Sequence, residues 1–201
     1  YTKNCGDLPI SIEYSECFMS FIQKLSENYP VKEIDPSDFD FQKSRECFLK
    51  LLYGNMSVTL PGIVRFMMGS KMSSKLKDYL TEEEKRDECI KQLDQLMSEY
   101  DVLLAPVTAT AAFQHKIPVR MFGNQAIYDD IPVDDRKVSY SVANMGYTTP
   151  FSLTGSPVIV IPIGKTAKGL PLGVQVVGRR MHEHDLLKHV GKIANTIETG
   201  V

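Results

Sequence analysis

Ser74 and Lys77 stand three residues apart in this 201-residue chain, the simplest arrangement in it that could attack a carbonyl. A lysine beside a serine can serve as base and turn the hydroxyl into a nucleophile. Ser73-Ser74-Lys75 even supplies two serines and a lysine together. The stretch is charged, however, and carries no adjacent glycines, whereas a nucleophilic serine needs backbone donors shaped around an oxyanion. Ser/Lys pairs at this spacing also arise by chance, so 73–77 reads as solvated surface. Gly164-Lys165-Thr166 looks like the end of a phosphate-binding loop, but that motif needs glycine at position 159, where Ile159 stands. A strand rather than a helix follows, so this is a hairpin loop. His182 and His184 are two apart and would diverge around a helix, and Asp185 with His189 is the better-aligned pair. At a helix start these polar residues read as a solvated end, not a metal site. Cys5, Cys17, Cys47 and Cys89 include no CxxC spacing, and the last three sit among apolar residues of helical segments. They read as reduced packing residues, which places the chain in an intracellular, cytoplasmic setting. Asn55-Met56-Ser57 is a formal glycosylation sequon that means little without secretion.

The elements that must position any site follow from periodicity. Ile12, Phe18, Phe21, Ile22 and Leu25 mark an amphipathic helix over 12–25. Val31–Ile34 is a short strand, and Asp35-Pro36-Ser37-Asp38 is turn and cap chemistry. Phe41, Phe48, Leu49 and Leu52 mark a second helix stopped by Gly54-Asn55, and Leu60-Pro61-Gly62 opens a third that ends near Gly69. Thr81 with Glu84 forms a capping box for a charged helix whose buried stripe is Cys89, Ile90, Leu93, Leu96 and Met97. Val102–Ala105 is a fully buried strand, 106–138 a long irregular stretch too apolar for disorder, and 139–155 a broken helix and loop. Pro157–Ile163 and Leu172–Val177 are strands that pair as a hairpin around Gly169 and Pro171. A closing helix runs from about Glu183 to Thr199. Mixed helices and strands, several of them buried on both faces, give an α/β layered fold.

Composition agrees with a globular protein: 43% hydrophobic, 24% charged, with a net charge of −2. That balance offers no general attraction to nucleic acid or an anionic membrane. No apolar run reaches the ~20 residues that span a bilayer. The length fits one domain, 1–201, able to bury a sizeable core.

Three segments carry a resemblance. Tyr100-Asp101-Val102-Leu103-Leu104-Ala105-Pro106-Val107-Thr108 resembles the "D-x-L-L-x-P-T" strand of the amidase signature family. Thr149-Pro150-Phe151-Ser152-Leu153-Thr154-Gly155-Ser156-Pro157 resembles its "P-x-N-x-T-G-x-P" segment, with Ser152 where the family commonly has Asn. Gly169-Leu170-Pro171-Leu172-Gly173-Val174-Gln175-Val176-Val177-Gly178-Arg179 matches its "G-L-P-x-G-x-Q-x-V-G" strand closely. Order and spacing agree over 100–195, and over 7–99 only the order of elements does.

The resemblance implies a layered α/β/α sandwich with a mixed sheet, of which this chain is the C-terminal portion. It implies a serine nucleophile, a bridging cis-serine and a lysine base, set in a Gly/Ser-rich stretch and an earlier Lys-bearing segment, with no metal or organic cofactor. The 13 glycines here include no Gly-Gly pair, and the chain begins at Tyr1, at a point that looks past that core. No catalytic residue is therefore carried over, the chain alone is expected to hydrolyse no amide, and its partner is the N-terminal catalytic part of the same amidase. In the resembling family the segment matched by Thr149–Gly155 borders the active site. The apolar residues beside it, Met121, Phe122, Met145, Tyr147 and Phe151, together with Ser152, are the expected substrate-side residues, facing an apolar small-molecule amide. The alternatives are a non-catalytic interaction or regulatory remnant and a transamidase subunit.

Overall fold

The computed structural model describes residues 1–35, 37–59, 76–118, 120–122 and 125–198, without side chains at 56–59, 120–122, 125–127 and 197–198. Helix α1 (Ile12–Ser26) starts where the Ser11 hydroxyl accepts from the Tyr14 N–H, and it buries Tyr14, Phe18, Phe21, Ile22 and Leu25. Each such side chain, fully buried, gains about 1.5–3 kcal/mol before entropy is charged. Helices α2 (Phe41–Thr59) and α3 (Leu76–Ser98) follow and pack on each other. Strand β1 (Leu103–Pro106) leads into two short hairpins, β2 (Arg120–Phe122) with β3 (Gln125–Ile127) and β4 (Ile131–Val133) with β5 (Arg136–Val138). Two six-residue helices, α4 (Tyr140–Met145) and α5 (Thr149–Thr154), precede β6 (Val158–Lys165), β7 (Pro171–Val177) and α6 (Glu183–Glu198).

The three-stranded sheet runs β1-β7-β6. Val160 lies opposite Gln175 in the β6–β7 hairpin, and Gln175 lies opposite Ala105 across β7–β1. Side chains alternate between faces along a strand, and the core divides accordingly. Leu104, Leu172, Val174 and Val176 pack with α1 and α6, while Leu103, Ala105 and Val177 pack with residues of α2, α3, α4 and α5. Helices cover both faces of one sheet, which is the α/β/α layering.

Several local expectations change. Every strand pairing among the described residues is antiparallel, so a mixed sheet is not formed there. Val31–Ile34 is not a strand, because its ordered pairing is two hydrogen bonds to one residue: Tyr1 N to the Lys32 carbonyl and Ile34 N to the Tyr1 carbonyl. Helix α2 runs through Gly54-Asn55, a single glycine being tolerated where the helix is packed. Helix α3 begins five residues before Thr81, whose hydroxyl donates back to the Lys77 carbonyl at 3.0 Å instead of capping. Strand β6 has a described neighbour on one side only, and Val160 is 54% exposed, so the deeply buried strand of the hairpin is β7. The expected helix over 60–69 and the Ser73-Ser74-Lys75 cluster lie outside the described residues.

Candidate functional site

The site region is built where β1 leaves the sheet and where α4 turns into α5. Pro150 sits in the first turn of α5, and Gly155 closes that helix in the left-handed conformation at φ 68°. Pro157 then launches β6. Within α5 the Thr154 hydroxyl lies 3.1 Å from the Pro150 carbonyl and 3.0 Å from the Ser156 hydroxyl. At the turn itself the Met145 carbonyl accepts from the Thr149 hydroxyl at 2.6 Å.

The expected substrate-side residues separate into three groups. Tyr147 and Phe151 are completely enclosed. The Tyr147 hydroxyl donates to the Pro9 carbonyl at 3.0 Å, with the Leu8 carbonyl 3.3 Å away, and burial drives its ionisation far above the usual tyrosine range. Phe151 packs edge-on against Phe41 with centroids 6.4 Å apart. Both therefore hold the turn in the core and present no surface to a ligand in this arrangement. Met145 is 42% exposed and Ser152 is exposed, one on each side of the turn. Met121 and Phe122 fall on β2, where the backbone is described and the side chains are not.

The structure shows what holds the aromatic residues of the irregular stretch, and it adds Gln175, which pattern reading missed. Tyr128 stacks on Tyr140 with centroids 4.3 Å apart, and Phe113 meets Tyr140 edge-on at 6.0 Å. The irregular stretch after β1 is thereby fastened to α4. Gln175, 1% exposed in the central strand, donates from Nε2 to the Pro106 carbonyl at 2.6 Å and the Tyr147 carbonyl at 3.2 Å. A glutamine inside an otherwise apolar buried strand was the available signal, since a buried amide needs partners.

The other motifs remain structural. Thr166 N donates to the Leu170 carbonyl at 2.8 Å and Leu170 N to the Thr166 hydroxyl at 3.0 Å, which makes 164–171 a hairpin loop. His182 bonds the Arg180 carbonyl through Nδ1, and His189 stands 4.0 Å from Asp101. All four cysteines are free. Burial pushes the Cys5 thiol up to about 12 and the Cys47 thiol up to about 11, so neither is a thiolate at neutral pH. A cavity of about 430 Å³ lies on the α1–α6 face, lined by Leu25, Tyr29, Tyr100, Leu104 and Lys192 among others, and holds none of the substrate-side residues. No helix among the described residues is long and apolar enough to cross a membrane.

The same chain has recognisable relatives. A family model described as Amidase matches residues 14–187. A Glutamyl-tRNA(Gln) amidotransferase subunit from Rickettsia bellii is 30% identical over 140 residues, a match covering 68% of this chain and 24% of that protein. The chain spans about a quarter of the length of the curated relatives it matches. Among solved structures, 6-aminohexanoate cyclic dimer hydrolase superposes with a TM-score of 0.70 at 17% identity, covering 99% of this chain and 44% of that one. Fatty acid amide hydrolase does so with a TM-score of 0.68 at 14% identity, covering 97% and 38%. At those identities the likeness to the solved structures is one of fold.

Proposed function

The chain belongs to the amidase family, and from that premise we propose that it forms the C-terminal portion of an enzyme that hydrolyses a carbon–nitrogen amide bond through a serine acyl-enzyme. In this reading a lysine takes a proton through a bridging serine, and a second serine attacks the amide carbonyl. Glycine-rich backbone N–H groups hold the oxyanion, and water releases the acid. All of those groups belong to polypeptide outside residues 1–201. The observation that carries the reading is the family match over 14–187, whose most specific motif, Gly169–Arg179, builds the central strand of the sheet.

What this chain contributes is a wall. Met145 and Ser152 face outward from the turn, and the aromatic group of Phe113, Tyr128 and Tyr140 backs it. An exposed methionine beside aromatic rings suits an uncharged amide with an apolar acyl or leaving group. Ser152, a short hydroxyl at a position where the family commonly has Asn, would give that substrate a different hydrogen-bonding partner. Free cysteines, three of the four buried, fit a reducing intracellular compartment.

A second reading has one observation in its favour, the 30% identity to an amidotransferase subunit. In that case the ammonia released by the same acyl-enzyme step would pass to an acceptor. Assaying the enzyme that carries this chain on neutral aryl and alkyl amides against glutamine and asparagine separates the two. Turnover confined to glutamine or asparagine would favour the amidotransferase.

A further inference from the structure

We propose that Gln175 and Tyr14 are positioning residues of the amide-hydrolysis site, clamping one peptide unit from both faces of the sheet. The inference rests on the amidase reading above. The peptide joining Pro106 to Val107 is where the chain leaves β1 for the stretch that backs the site. Its carbonyl accepts from Gln175 Nε2 at 2.6 Å, and its N–H donates to the Tyr14 hydroxyl at 2.8 Å. The Tyr14 hydroxyl in turn donates to the Gly173 carbonyl at 2.6 Å. Tyr14 comes from α1 on one face, while Gln175 stands between Val174 and Val176 in β7, which point to that α1 face, and so projects to the other. Both side chains are 1% exposed. A peptide held at its donor and its acceptor by two buried side chains cannot rotate without stranding both.

The clamp extends to the substrate-side turn. The second Gln175 bond goes to the Tyr147 carbonyl at 3.2 Å. Tyr147 lies two residues after Met145, and the Ser152 N–H donates to the carbonyl of Thr148, the next residue. Displacing the Tyr147 carbonyl therefore carries both outward-facing residues with it. One amide thus couples the β1 exit to the α4–α5 turn. An apolar side chain there would leave both carbonyls without this donor, so the glutamine is explained by what it holds.

The test uses the enzyme that carries this chain, with Gln175→Met, which keeps length and volume but no donor, and Tyr14→Phe, which loses only the hydroxyl. Substrates are acetyl, butyryl and octanoyl anilides, and backbone hydrogen exchange is read on the same proteins. The expected result is a fall in kcat/KM of about 10- to 100-fold, the scale of a small misplacement of positioned groups. It should be carried chiefly by KM and be largest for the octanoyl anilide. Exchange should rise across 103–110 in both variants and across 145–152 in Gln175→Met, while β6 stays as in the parent. Unchanged kinetics, or a loss equal for all acyl lengths and tracking only the folded fraction, would overturn the proposal. Should Gln175→Met not fold, Tyr14→Phe decides the matter by the same readouts. A parent enzyme that turns over none of the anilides would instead sink the amidase reading, a result distinct from active parent and unaffected variants.

Discussion

Changing Tyr147 to Phe removes one oxygen from a fully enclosed side chain and separates packing from substrate contact at the turn. The ring stays in its slot, but the Pro9 carbonyl, at 3.0 Å, and the Leu8 carbonyl, at 3.3 Å, lose their hydroxyl donor. Losing a neutral hydrogen bond and stranding a buried acceptor costs about 1–3 kcal/mol. In the whole enzyme, which is longer than this chain, about 2 kcal/mol corresponds to a Tm shift smaller than the roughly 4–8 °C expected for 201 residues alone. Because the Tyr147 phenol has no exposed surface and meets the Pro9 and Leu8 carbonyls, kcat and KM at a temperature well below Tm should stay close to the parent for every acyl length. Thermal unfolding followed by circular dichroism, beside steady-state kinetics on the same preparation, gives both numbers. An unchanged Tm with KM rising steeply for the longest acyl amide would refute the reasoning, since it would mean the phenol meets the substrate.

Val176, fully buried in β7 between α1 and α6, should cost about 1–3 kcal/mol as Val176→Ala in denaturant unfolding, whereas Val160→Ala, 54% exposed on a strand with a described neighbour on one side only, should cost less than half as much. Met145→Ala should flatten the increase of kcat/KM along lengthening acyl amides, each buried methylene being worth up to about 0.8 kcal/mol, and an intact profile would remove Met145 from the site. Glu82 is nearly buried, which by itself raises its pKa, yet bonds to Lys85 at 2.8 Å and Lys50 at 3.2 Å hold it below the ordinary 4.5. A depressed carboxyl contributes stability above its unfolded pKa and loses it as pH falls through the folded one. Acid titration should therefore destabilise the parent more than Glu82→Gln below pH 4.5, and parallel curves would contradict the assignment.

Periodic signals are legible in the sequence and local chemistry is less so. Helix α1, the β6–β7 hairpin and α6 follow from spacing and turn residues, although Ile12, counted in the α1 stripe, is 64% exposed while Tyr14 is buried, and β7 is buried on both faces. The Thr81–Glu84 box misleads because a cap and a helix-interior threonine look alike until the preceding turn is known, and here Lys77 already belongs to the helix. Tyr147 and Phe151 read as ligand-facing because their segments are short and irregular. Yet Phe41 and the Pro9 carbonyl, more than a hundred residues earlier, enclose them. Such contacts between distant stretches leave no local pattern. In sequence Gln175 is only one letter of a motif, and its two acceptors become visible only when β1 and the α4–α5 turn are brought beside β7.

If this chain walls an amidase whose nucleophile lies elsewhere, labelling of the reactive serine will fall outside it. Treating the active enzyme that carries it with a serine-directed fluorophosphonate, then mapping the modified peptide by mass spectrometry, tests that claim directly. The account predicts that loss of amide hydrolysis coincides with a single modified serine in a Gly/Ser-rich peptide outside residues 1–201. Modification of Ser73, Ser74 or any other serine within 1–201, abolishing turnover in proportion to labelling, would contradict it.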